Sequence, residues 1–504
     1  MTLTKLTPTE NLAKLIRSLC QSACFPHPVG QIEVMETHIS YVLLAGDFAY
    51  KIKKPVNFGF LDFSSLAKRK FYCEEELRLN KRHASDLYLE VVPIGGSAGK
   101  PILNAKKGVI EYAVKMRRFS QQHLLDKLIQ SGQISGEQID QLAQGIVDFH
   151  QNVAIASADC DYGSLAQIHK YTLENVQIIA PLLTEKEDIA RMSYYEGWLT
   201  EQHQKLAPLM QARQQQGFIR ECHGDLHLRN ILFSEGEFYF FDCIEFNPAL
   251  RWVDVISELA FLAMDLEAAG RADLSHRLIN AYFEISGDYD GLPLLRYYLA
   301  YRAMVRAKVA FLRLPQAVSV EEKAQLRQSG SDYLQLAWRY AVTPEPELTI
   351  THGFSGSGKS VHTLCLLEKS GAIRIRSDFE RKRMRGIAAA EASAMELADK
   401  DYNAQVTQQT YERLRTLAEV IINAGFSAIV DATFLKHWQR ALFLQLAEKH
   451  QIKFSILHYH ASLSELKRRI VFRQQRRNDV SDASLAVLEM QLKTAEALTD
   501  AERA

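Results

Sequence analysis

The sequence predicts two domains of different fold class: an α+β domain with two lobes, followed by an α/β domain built around a parallel sheet. Three observations indicate this division. Short strands and a charged helix in the first part of the chain give way to long helical stretches. Beyond residue 347, short apolar strands alternate with helices, which is the pattern of a parallel sheet. The alternating prolines of residues 343–347 favour an extended spacer. We therefore expect domains at 1–342 and 348–504, joined by a linker at 343–347.

The composition is that of an ordinary soluble globular protein. At roughly 150 residues per domain, the 504 residues are too many for one core, and 60 basic residues balance 60 acidic ones. The seven cysteines include no C-x-x-C pair, so neither a disulfide framework nor a zinc knuckle is indicated. The N-terminus lacks the features of a signal peptide, and no apolar run is long enough for a membrane span. We expect a cytoplasmic protein that does not bind membranes, with its oligomeric state left open.

The predicted elements of the first domain alternate between strand and helix patterns. A hairpin signal at Gly46-Asp47 separates two strands, and a charged helix follows. The predicted segments are strands within 39–54, a helix within 63–82, strands at 87–94 and 108–115, helices from 121 to 220, strands within 233–246 and helices from 253 to 340.

The segment from His223 to Asn230 has the order His-x-Asp-Leu-x-x-x-Asn. Phosphoryl transfer to an alcohol needs a carboxylate beside the hydroxyl and ligands for magnesium at the phosphates. Asp225 is predicted to accept the hydroxyl proton, and Asn230 is predicted to bind Mg²⁺. An apolar strand downstream ends at Asp242, our candidate for the second magnesium ligand. His223 is expected to brace the backbone of this segment.

A triphosphate also needs a cation that is held rigidly, usually a strand lysine braced by a helix glutamate. Lys51 and Lys53 share one face of a predicted strand, and Glu74, Glu75 and Glu76 follow on the next helix. We favour Lys51 with Glu76 as the ATP-positioning pair. Lys53 and Glu75 remain open as alternatives, and a solvated basic strand beside an acidic helix face is the competing interpretation.

Residues 223–242 resemble the aminoglycoside phosphotransferase and choline kinase-like group, relatives of protein kinases, in which H-G-D-x-H-x-x-N is the usual form of the loop. The resemblance covers residues 25–340 and implies a protein-kinase-like fold with two lobes. It also implies that residues 111–116 connect the lobes and pair with adenine through their backbone. Asp254 then corresponds to the acidic residue that commonly follows the second magnesium ligand.

The chain departs from protein kinases at two places. No G-x-G-x-x-G loop precedes Lys51, so the covering of the phosphates is unexplained. Asp242 is followed by Cys243-Ile244, where a protein kinase has Phe-Gly. The second departure argues against a protein kinase with a switching activation loop.

A second motif, G-F-S-G-S-G-K-S, follows an apolar strand at 348–351. Its glycines let consecutive backbone N–H groups point at phosphate oxygens, with the positive end of the next helix behind them. Lys359 is expected to reach the outer phosphates, and Ser360 to supply a hydroxyl to Mg²⁺. The predicted nucleotide-binding residues are Gly353, Ser355, Gly356, Ser357, Gly358, Lys359 and Ser360.

Two further strands of the second domain are followed by carboxylates. The strand 428–430 leads to Asp431, a Walker-B position that orders magnesium through water. The strand 373–376 precedes Asp378, which is predicted to bind or deprotonate the acceptor hydroxyl. A simple helix cap is the alternative interpretation of Asp378.

A basic helix near the C-terminus carries Arg469, Arg473 and Arg477 at a spacing of four. Arginines that close over a transferred phosphate have this pattern, and Arg473 is our candidate catalytic arginine. A solvated charged face is the alternative.

These residues resemble the zeta-toxin and polynucleotide kinase-like P-loop family, from residue 347 onward. Residues 376–378 and 431–434 and the basic helix carry the resemblance. Such folds often have a fifth strand after the lid, which here is the basic helix with the three arginines. Residues 485–504 are instead predicted to be helical, which favours a four-stranded sheet. The order of the two domains is similar to that of bacterial proteins described as bifunctional aminoglycoside phosphotransferase/ATP-binding proteins, whose second half is of the AAA type.

The leading functional hypothesis is an ATP- and Mg²⁺-dependent phosphotransferase with two nucleotide sites that acts on a hydroxyl of a small molecule. The alternative makes the P-loop half a polynucleotide or nucleoside kinase, and the first domain a nucleotide-binding or regulatory module. The basic segment 374–385 motivates this alternative. Nucleic acid is not favoured as a partner, and the identity of either acceptor is left open.

Overall fold

The computed structural model describes residues 7–59, 61–342, 344–386, 404–476 and 484–503, without the side chains of residues 22 and 473–476. The chain divides into two compact units, each built from three segments. The first unit contains Met1–Gln133, Phe149–Ser164 and Arg213–Glu258. The second unit contains Ile134–Asp148, Leu165–Ala212 and Leu259–Ala504.

The elements are numbered along the chain. The strands are β1 Glu33–Glu36, β2 Ser40–Ala45, β3 Phe48–Lys53, β4 Tyr88–Ser97, β5 Lys100–Leu103, β6 Val109–Arg117, β7 Ile219–Glu221, β8 Ile231–Ser234, β9 Glu237–Phe240, β10 Trp252–Asp254, β11 Glu347–His352, β12 Ile373–Arg376, β13 Ala428–Asp431 and β14 Lys453–His458. The helices are α1 Pro8–Leu19, α2 Leu66–Asn80, α3 Leu125–Gln130, α4 Gly136–Asn152, α5 Leu165–Ile179, α6 Lys186–Gln215, α7 Pro248–Arg251, α8 Val255–Ala268, α9 Ala272–Ser286, α10 Leu295–Arg313, α11 Val320–Ala341, α12 Lys359–Ser370, α13 Ser377–Arg383, α14 Ala404–Asn423, α15 His437–His450, α16 Leu463–Arg476, α17 Leu485–Thr494 and α18 Asp500–Arg503. Among the described residues, none of these helices combines the length and apolarity needed to cross a bilayer.

The first unit contains an antiparallel six-stranded sheet in the order β1-β2-β3-β6-β4-β5. The predicted hairpin is confirmed, because β2 pairs with β3 across the two-residue turn Gly46-Asp47. Strands β1 and β5 were not predicted. All four residues of β1 are exposed, so the strand lacks the apolar alternation that marks a half-buried strand.

Two helices pack on this sheet. Helix α1 contributes four buried side chains, from Leu12 to Leu19, to an apolar core that includes Leu43 and Ile52 of the sheet. Helix α2 confirms the predicted charged helix, and the Ser65 side chain caps it by accepting from the N–H of Lys68. Its buried residues recur three or four positions apart and form one face: Arg69, Cys73, Glu76, Leu79 and Asn80.

The segment 111–116 does not connect two lobes, contrary to our prediction. It lies in β6, in the interior of the sheet. Residues 113–116 pair with β3 on one side and β4 on the other. Because strand pairing on both edges already uses these backbone groups, they are not available to adenine. The chain leaves the sheet only after Arg117.

The remaining strands of the first unit form two antiparallel pairs, β7 with β10 and β8 with β9. The loop 222–230 lies between β7 and β8, and Asp242 comes shortly after β9. The two segments are tied together by backbone hydrogen bonds. Phe241 N–H donates to the carbonyl of Asn230 at 3.1 Å, and Ile244 N–H donates to that of His223 at 3.1 Å.

The second unit contains a parallel four-stranded sheet in the order β12-β13-β11-β14. This order confirms the predicted parallel sheet, with four strands among the residues that the structure describes. The prediction of one helix over 485–504 is wrong in part, because residues 495–499 separate α17 from α18. Tertiary hydrogen bonds replace helical ones there: Glu496 N–H donates to the carbonyl of Leu435, and Arg440 donates to that of Ala497.

Within the second unit, helix α9 contacts the beginning of β12. The Asn280 side chain donates to the carbonyl of Ala372 at 3.1 Å and accepts from the N–H of Arg374 at 2.7 Å. Glu284 lies 3.4 Å from Arg374 and 3.2 Å from Arg376. Helix α9 therefore fixes both ends of the strand that precedes the predicted acceptor aspartate.

Candidate active sites

The loop that begins at His223 is held by a buried carboxylate. Glu258 accepts hydrogen bonds from the backbone N–H groups of His223 at 2.8 Å and Gly224 at 2.7 Å. Gly224 has a φ of +85°, and a Cβ there would lie 2.7 Å from the carbonyl oxygen of Leu250. A larger residue at this position would therefore displace the loop.

The imidazole of His223 connects the loop to the segment after β9 that carries Asp242. Its Nε2 donates to the carbonyl of Phe241 at 2.8 Å, and its Nδ1 lies 3.3 Å from the backbone N–H of Asp225, which donates to it. One ring nitrogen is thus a donor and the other an acceptor, which is the neutral form. Burial lowers the pKa of His223 and favours the same form. His223 therefore braces the backbone.

Asp225 lies within the loop and Asn230 at its C-terminal end, and the two side chains are in contact. The Asn230 amide nitrogen donates to the Asp225 carbonyl at 3.0 Å and to the Asp225 carboxylate at 3.3 Å. The Asp225 side chain is 37% exposed, with His227 Nε2 at 3.4 Å from its carboxylate. Asp225 can therefore meet an incoming hydroxyl, and the Asn230 amide oxygen is the atom that would bind a metal.

Asp242 is half-exposed and lies beside Lys51 of β3. Its side chain is 46% exposed, and its backbone has a φ of +63°. The hydroxyl of Tyr88 accepts from its N–H at 3.1 Å and holds this conformation. The donor set of Asn230 and Asp242, an amide oxygen and a carboxylate, suits Mg²⁺, which prefers oxygen ligands.

Two lysines of β3 bind one glutamate of α2. Glu76 Oε1 accepts from Lys51 Nζ at 2.8 Å, and Glu76 Oε2 accepts from Lys53 Nζ at 2.6 Å. Lys51 Nζ also lies 2.5 Å from Asp242 Oδ1, whereas Lys53 Nζ also donates to Glu245. Of the two lysines, Lys51 is the one beside the candidate magnesium ligand. The structure thus brings together Lys51 and Glu76, the pair that the sequence favoured, and also places the alternative Lys53 on the same glutamate. The contact of Lys53 with Glu245 is the one that sequence reasoning missed.

Charge compensation keeps this network ionised. Burial alone would raise the pKa of the Glu76 carboxyl, but the ammonium groups of Lys51 and Lys53 lower it to about 2. Burial alone would lower the pKa of Lys51, but the carboxylates of Asp242 and Glu76 hold it well above its ordinary value. Both groups are therefore charged at neutral pH.

Glu75, the alternative partner for the lysine, pairs elsewhere. Its carboxylate lies 2.7 Å from Arg78 and 2.7 Å from Arg251. Asp254 is also engaged in a buried ion pair, in which Arg213 Nε donates to its Oδ2 at 2.8 Å. Asp254 and Arg213 are both nearly inaccessible to solvent.

The P-loop of the second unit joins β11 to α12. A Cβ at Gly353, where φ is +153°, would lie 2.6 Å from the carbonyl oxygen of Tyr459. Lys359, the first residue of α12, is buried and donates through Nζ to the carbonyls of Gly353 and Phe354 at 2.9 Å each. Its ammonium therefore lies inside the loop, with its charge at the place where phosphate oxygens would bind.

A cavity of about 440 Å³ lies beside the P-loop. It is lined by Lys359 and Ser360 of the P-loop and by the carboxylate-bearing residues Asp378 and Asp431. Asp431 is buried at the end of β13, and Thr363 donates to it at 3.4 Å. The other predicted residues that line the cavity are Ser355, Gly356 and Gly358. Sequence reasoning missed the remaining wall, which includes Arg381, Tyr411, Lys436, Trp438, Met490 and Gln491.

Asp378 lies in the first turn of α13, where Arg381 donates to it at 3.3 Å. Gln491 of α17 accepts from the N–H of Ser355 and donates to its hydroxyl, both at 3.0 Å. A Gln on the last long helix carries no motif, so spacing alone could not have identified it.

The basic helix is α16, and only part of the predicted arginine lid is described. Arg469 donates to the carbonyl of Gly356 in the P-loop at 3.2 Å. The side chain of Arg473 and all of Arg477 lie outside the described residues. The catalytic role of Arg473 thus stays a prediction.

Two family models each match part of the chain. Residues 100–295 match the model of the phosphotransferase enzyme family, and residues 348–498 match that of an AAA domain. An ethanolamine kinase of Plasmodium vivax gives a TM-score of 0.39 at 8% identity, covering 62% of this chain and 84% of that one. A choline kinase of Cryptosporidium parvum gives a TM-score of 0.40 at 10% identity, covering 64% of this chain and 94% of that one.

Two relatives match almost the whole chain. An uncharacterized protein of Mycobacterium tuberculosis is 30% identical over 471 residues, which cover 92% of this chain and 91% of that protein. An uncharacterized protein of Mycobacterium bovis matches with the same values. The chain belongs to the family of these proteins, and within it a segment that matches the phosphotransferase enzyme family precedes a segment that matches an AAA domain.

Proposed function

We propose that the protein is an ATP- and Mg²⁺-dependent phosphotransferase with two nucleotide sites, and that each site transfers a γ-phosphate to a hydroxyl of a small molecule. The observation that carries the proposal is the network around Glu76. Lys51 is fixed at 2.8 Å from Glu76 and 2.5 Å from Asp242, in the same unit as the loop of Asp225 and Asn230. A fixed cation beside a metal ligand is what binding of a triphosphate needs.

In the first site, the acceptor hydroxyl would donate its proton to Asp225 as its oxygen attacks the γ-phosphorus. The new oxygen–phosphorus bond forms while the bond to the β–γ bridging oxygen breaks, and ADP leaves. Lys51 would contact the phosphates, with Glu76 fixing its ammonium. Mg²⁺ held by Asn230 and Asp242 would neutralise phosphate charge.

In the second site, the N–H groups of the P-loop and Lys359 would bind the phosphates of ATP. Ser360 and Asp431 would hold Mg²⁺, directly and through water. Asp378, across the same cavity, would bind or deprotonate the acceptor hydroxyl. Arg473 would approach the transferred phosphate from the lid.

The alternative of a polynucleotide kinase is favoured less. It was motivated by the basic segment 374–385, and three of the six basic side chains there are buried: Arg374 and Arg381 are each 6% exposed and Lys382 is 0% exposed. Glu284 lies beside Arg374, which partly neutralises its charge. Buried, compensated charges contribute little to binding a phosphate backbone. An oligonucleotide that bound with a steep salt dependence would favour this alternative again.

The proposed function is tested by incubating metabolite pools with ATP and Mg²⁺ and recording which compounds gain a phosphoryl group by mass. The parent protein is compared with Asp225→Asn and Lys359→Ala. Products of the first site should disappear in Asp225→Asn alone, and products of the second in Lys359→Ala alone. Product formation that is unchanged in both variants would contradict the assignment of both sites.

A further inference from the structure

The second lysine of β3, Lys53, is buried, and a lysine is almost never fully buried unless it is paired. Lys53 is 1% exposed, and its ammonium lies over the Phe63 ring, 4.8 Å from the ring centroid. A buried ammonium is costly unless it is paired, and an apolar side chain of similar length would fill the same space. Lys53 is paired twice, with Glu76 at 2.6 Å and with Glu245.

The two lysines divide the Glu76 carboxylate between them. Lys51 takes Oε1 and faces the half-exposed Asp242, whereas Lys53 takes Oε2 and faces Glu245, which is 4% exposed. The Lys51 side of the network is therefore next to the proposed phosphate and metal site. The Lys53 side is closed off from solvent.

Glu245 belongs to the same chain segment as Asp242, three residues further on. This segment is fixed to α2 independently. Cys243 N–H donates to the Asn80 side chain at 2.9 Å, and the Asn80 amide nitrogen donates to the carbonyl of Glu76 at 2.8 Å. The Lys53–Glu245 pair therefore connects β3 to a segment that is already attached to the helix of Glu76.

When phosphates and a metal bind, Lys51 and Asp242 must give up part of their mutual contact to the ligand. Glu76 would then rely on its other oxygen to stay in place. We propose that Lys53 and Glu245 are positioning residues of the first site, which hold the Glu76 carboxylate fixed and so keep Lys51 aligned for the phosphates. This inference rests on the proposed function of the first site.

The test replaces the pair by uncharged residues of similar length, in the full chain with Lys359→Ala so that only the first site binds nucleotide. Because apolar replacement of a buried ion pair preserves folding in known cases, the double variant Lys53→Met/Glu245→Met is the informative one. We expect it to bind a non-hydrolysable ATP analogue with Mg²⁺ about tenfold more weakly than the Lys359→Ala chain, which is the parent in this test. A loss of affinity of about tenfold lies within the range of interaction energies measured between contacting residues.

A matched control lies in the same sheet. Lys115 and Glu90 form an ion pair at 2.9 Å between β6 and β4, and Glu90 is 54% exposed. Lys115→Met/Glu90→Met is expected to bind the analogue as the parent does. Lys53→Arg retains the positive charge between Glu76 and Glu245, so its binding should stay within about threefold of the parent. This conservative variant keeps the test decisive if the double variant does not fold.

A Lys53→Met/Glu245→Met protein that is folded and binds the analogue as tightly as the parent would overturn the positioning role. So would a folded Lys53→Arg protein that binds the analogue about tenfold or more weakly than the Lys359→Ala chain, because it keeps the positive charge between Glu76 and Glu245. If the Lys359→Ala parent itself binds no analogue, the proposed function of the first site fails, and the inference fails with it.

Discussion

Glu76→Gln removes the charge that both buried lysines share. Glu76 is 0% exposed, and its two oxygens accept from Lys51 at 2.8 Å and from Lys53 at 2.6 Å. Breaking a buried ion pair by removing one partner costs about 3–5 kcal/mol. A glutamine oxygen retains one of the two hydrogen bonds, so we expect the lower end, about 3 kcal/mol. Because about 1.4 kcal/mol corresponds to a factor of ten in an equilibrium constant, this loss of about 3 kcal/mol raises the equilibrium constant for local opening of β3 and α2 by about 100-fold.

Hydrogen exchange resolved by mass spectrometry is the suitable assay, because it reports the opening of β3 and α2 without assuming that a chain of two units unfolds in one step. Glu74→Gln is the control. Glu74 lies two residues earlier in the same helix, is 54% exposed and pairs with Lys70 at 3.5 Å, and such surface pairs contribute about 0–1 kcal/mol. If the protection of β3 in Glu76→Gln falls no further than in Glu74→Gln, the network does not stabilise this region and the reasoning is refuted.

Two further predictions follow from buried charges. The Glu76 carboxyl has a pKa of about 2 against an ordinary 4.5, so its contribution to stability is complete above pH 4.5 and is lost as the pH falls towards 2. Hydrogen exchange in β3, corrected for intrinsic rates, should accelerate as the pH falls over that range in the parent, and it should accelerate less in Glu76→Gln. Equal acceleration in the two proteins would contradict a stabilising role for the ionised Glu76 carboxylate. Arg440, which is 1% exposed, donates to Glu502 at 2.7 Å and to the carbonyl of Ala497 at 3.2 Å. Arg440→Met should therefore increase proteolytic cleavage within residues 495–503 by about tenfold or more, since losing a buried charged partner costs a few kcal/mol; cleavage at the parent rate would contradict this anchoring.

The two motifs could be predicted from the sequence because their geometry is local. In the loop from His223 to Asn230, the functional groups lie within eight residues of one another. In the P-loop, the glycines and the strand before them specify where the next helix begins. The hairpin at Gly46-Asp47 was predictable for the same reason, since its turn and its alternation lie within one short segment.

The partners of these residues could not be predicted, because strand and helix patterns do not reveal which elements are neighbours. Lys53 and Glu245 are 192 positions apart, and nothing in the spacing of either indicates the other. The error at residues 111–116 came from the family resemblance, which implied a connection between lobes. The residue pattern there predicted a strand at 108–115, which β6 confirms. Strand β1 was missed for a different reason, because its exposed residues carry no burial pattern at all.

We propose that one chain carries two nucleotide sites. Native mass spectrometry of the parent with a saturating non-hydrolysable ATP analogue and Mg²⁺ counts bound nucleotides per chain directly. We predict two in the parent, one in Lys51→Met, one in Lys359→Ala and none in the double variant. One nucleotide in the parent, or a count that either single substitution leaves unchanged, would contradict the account.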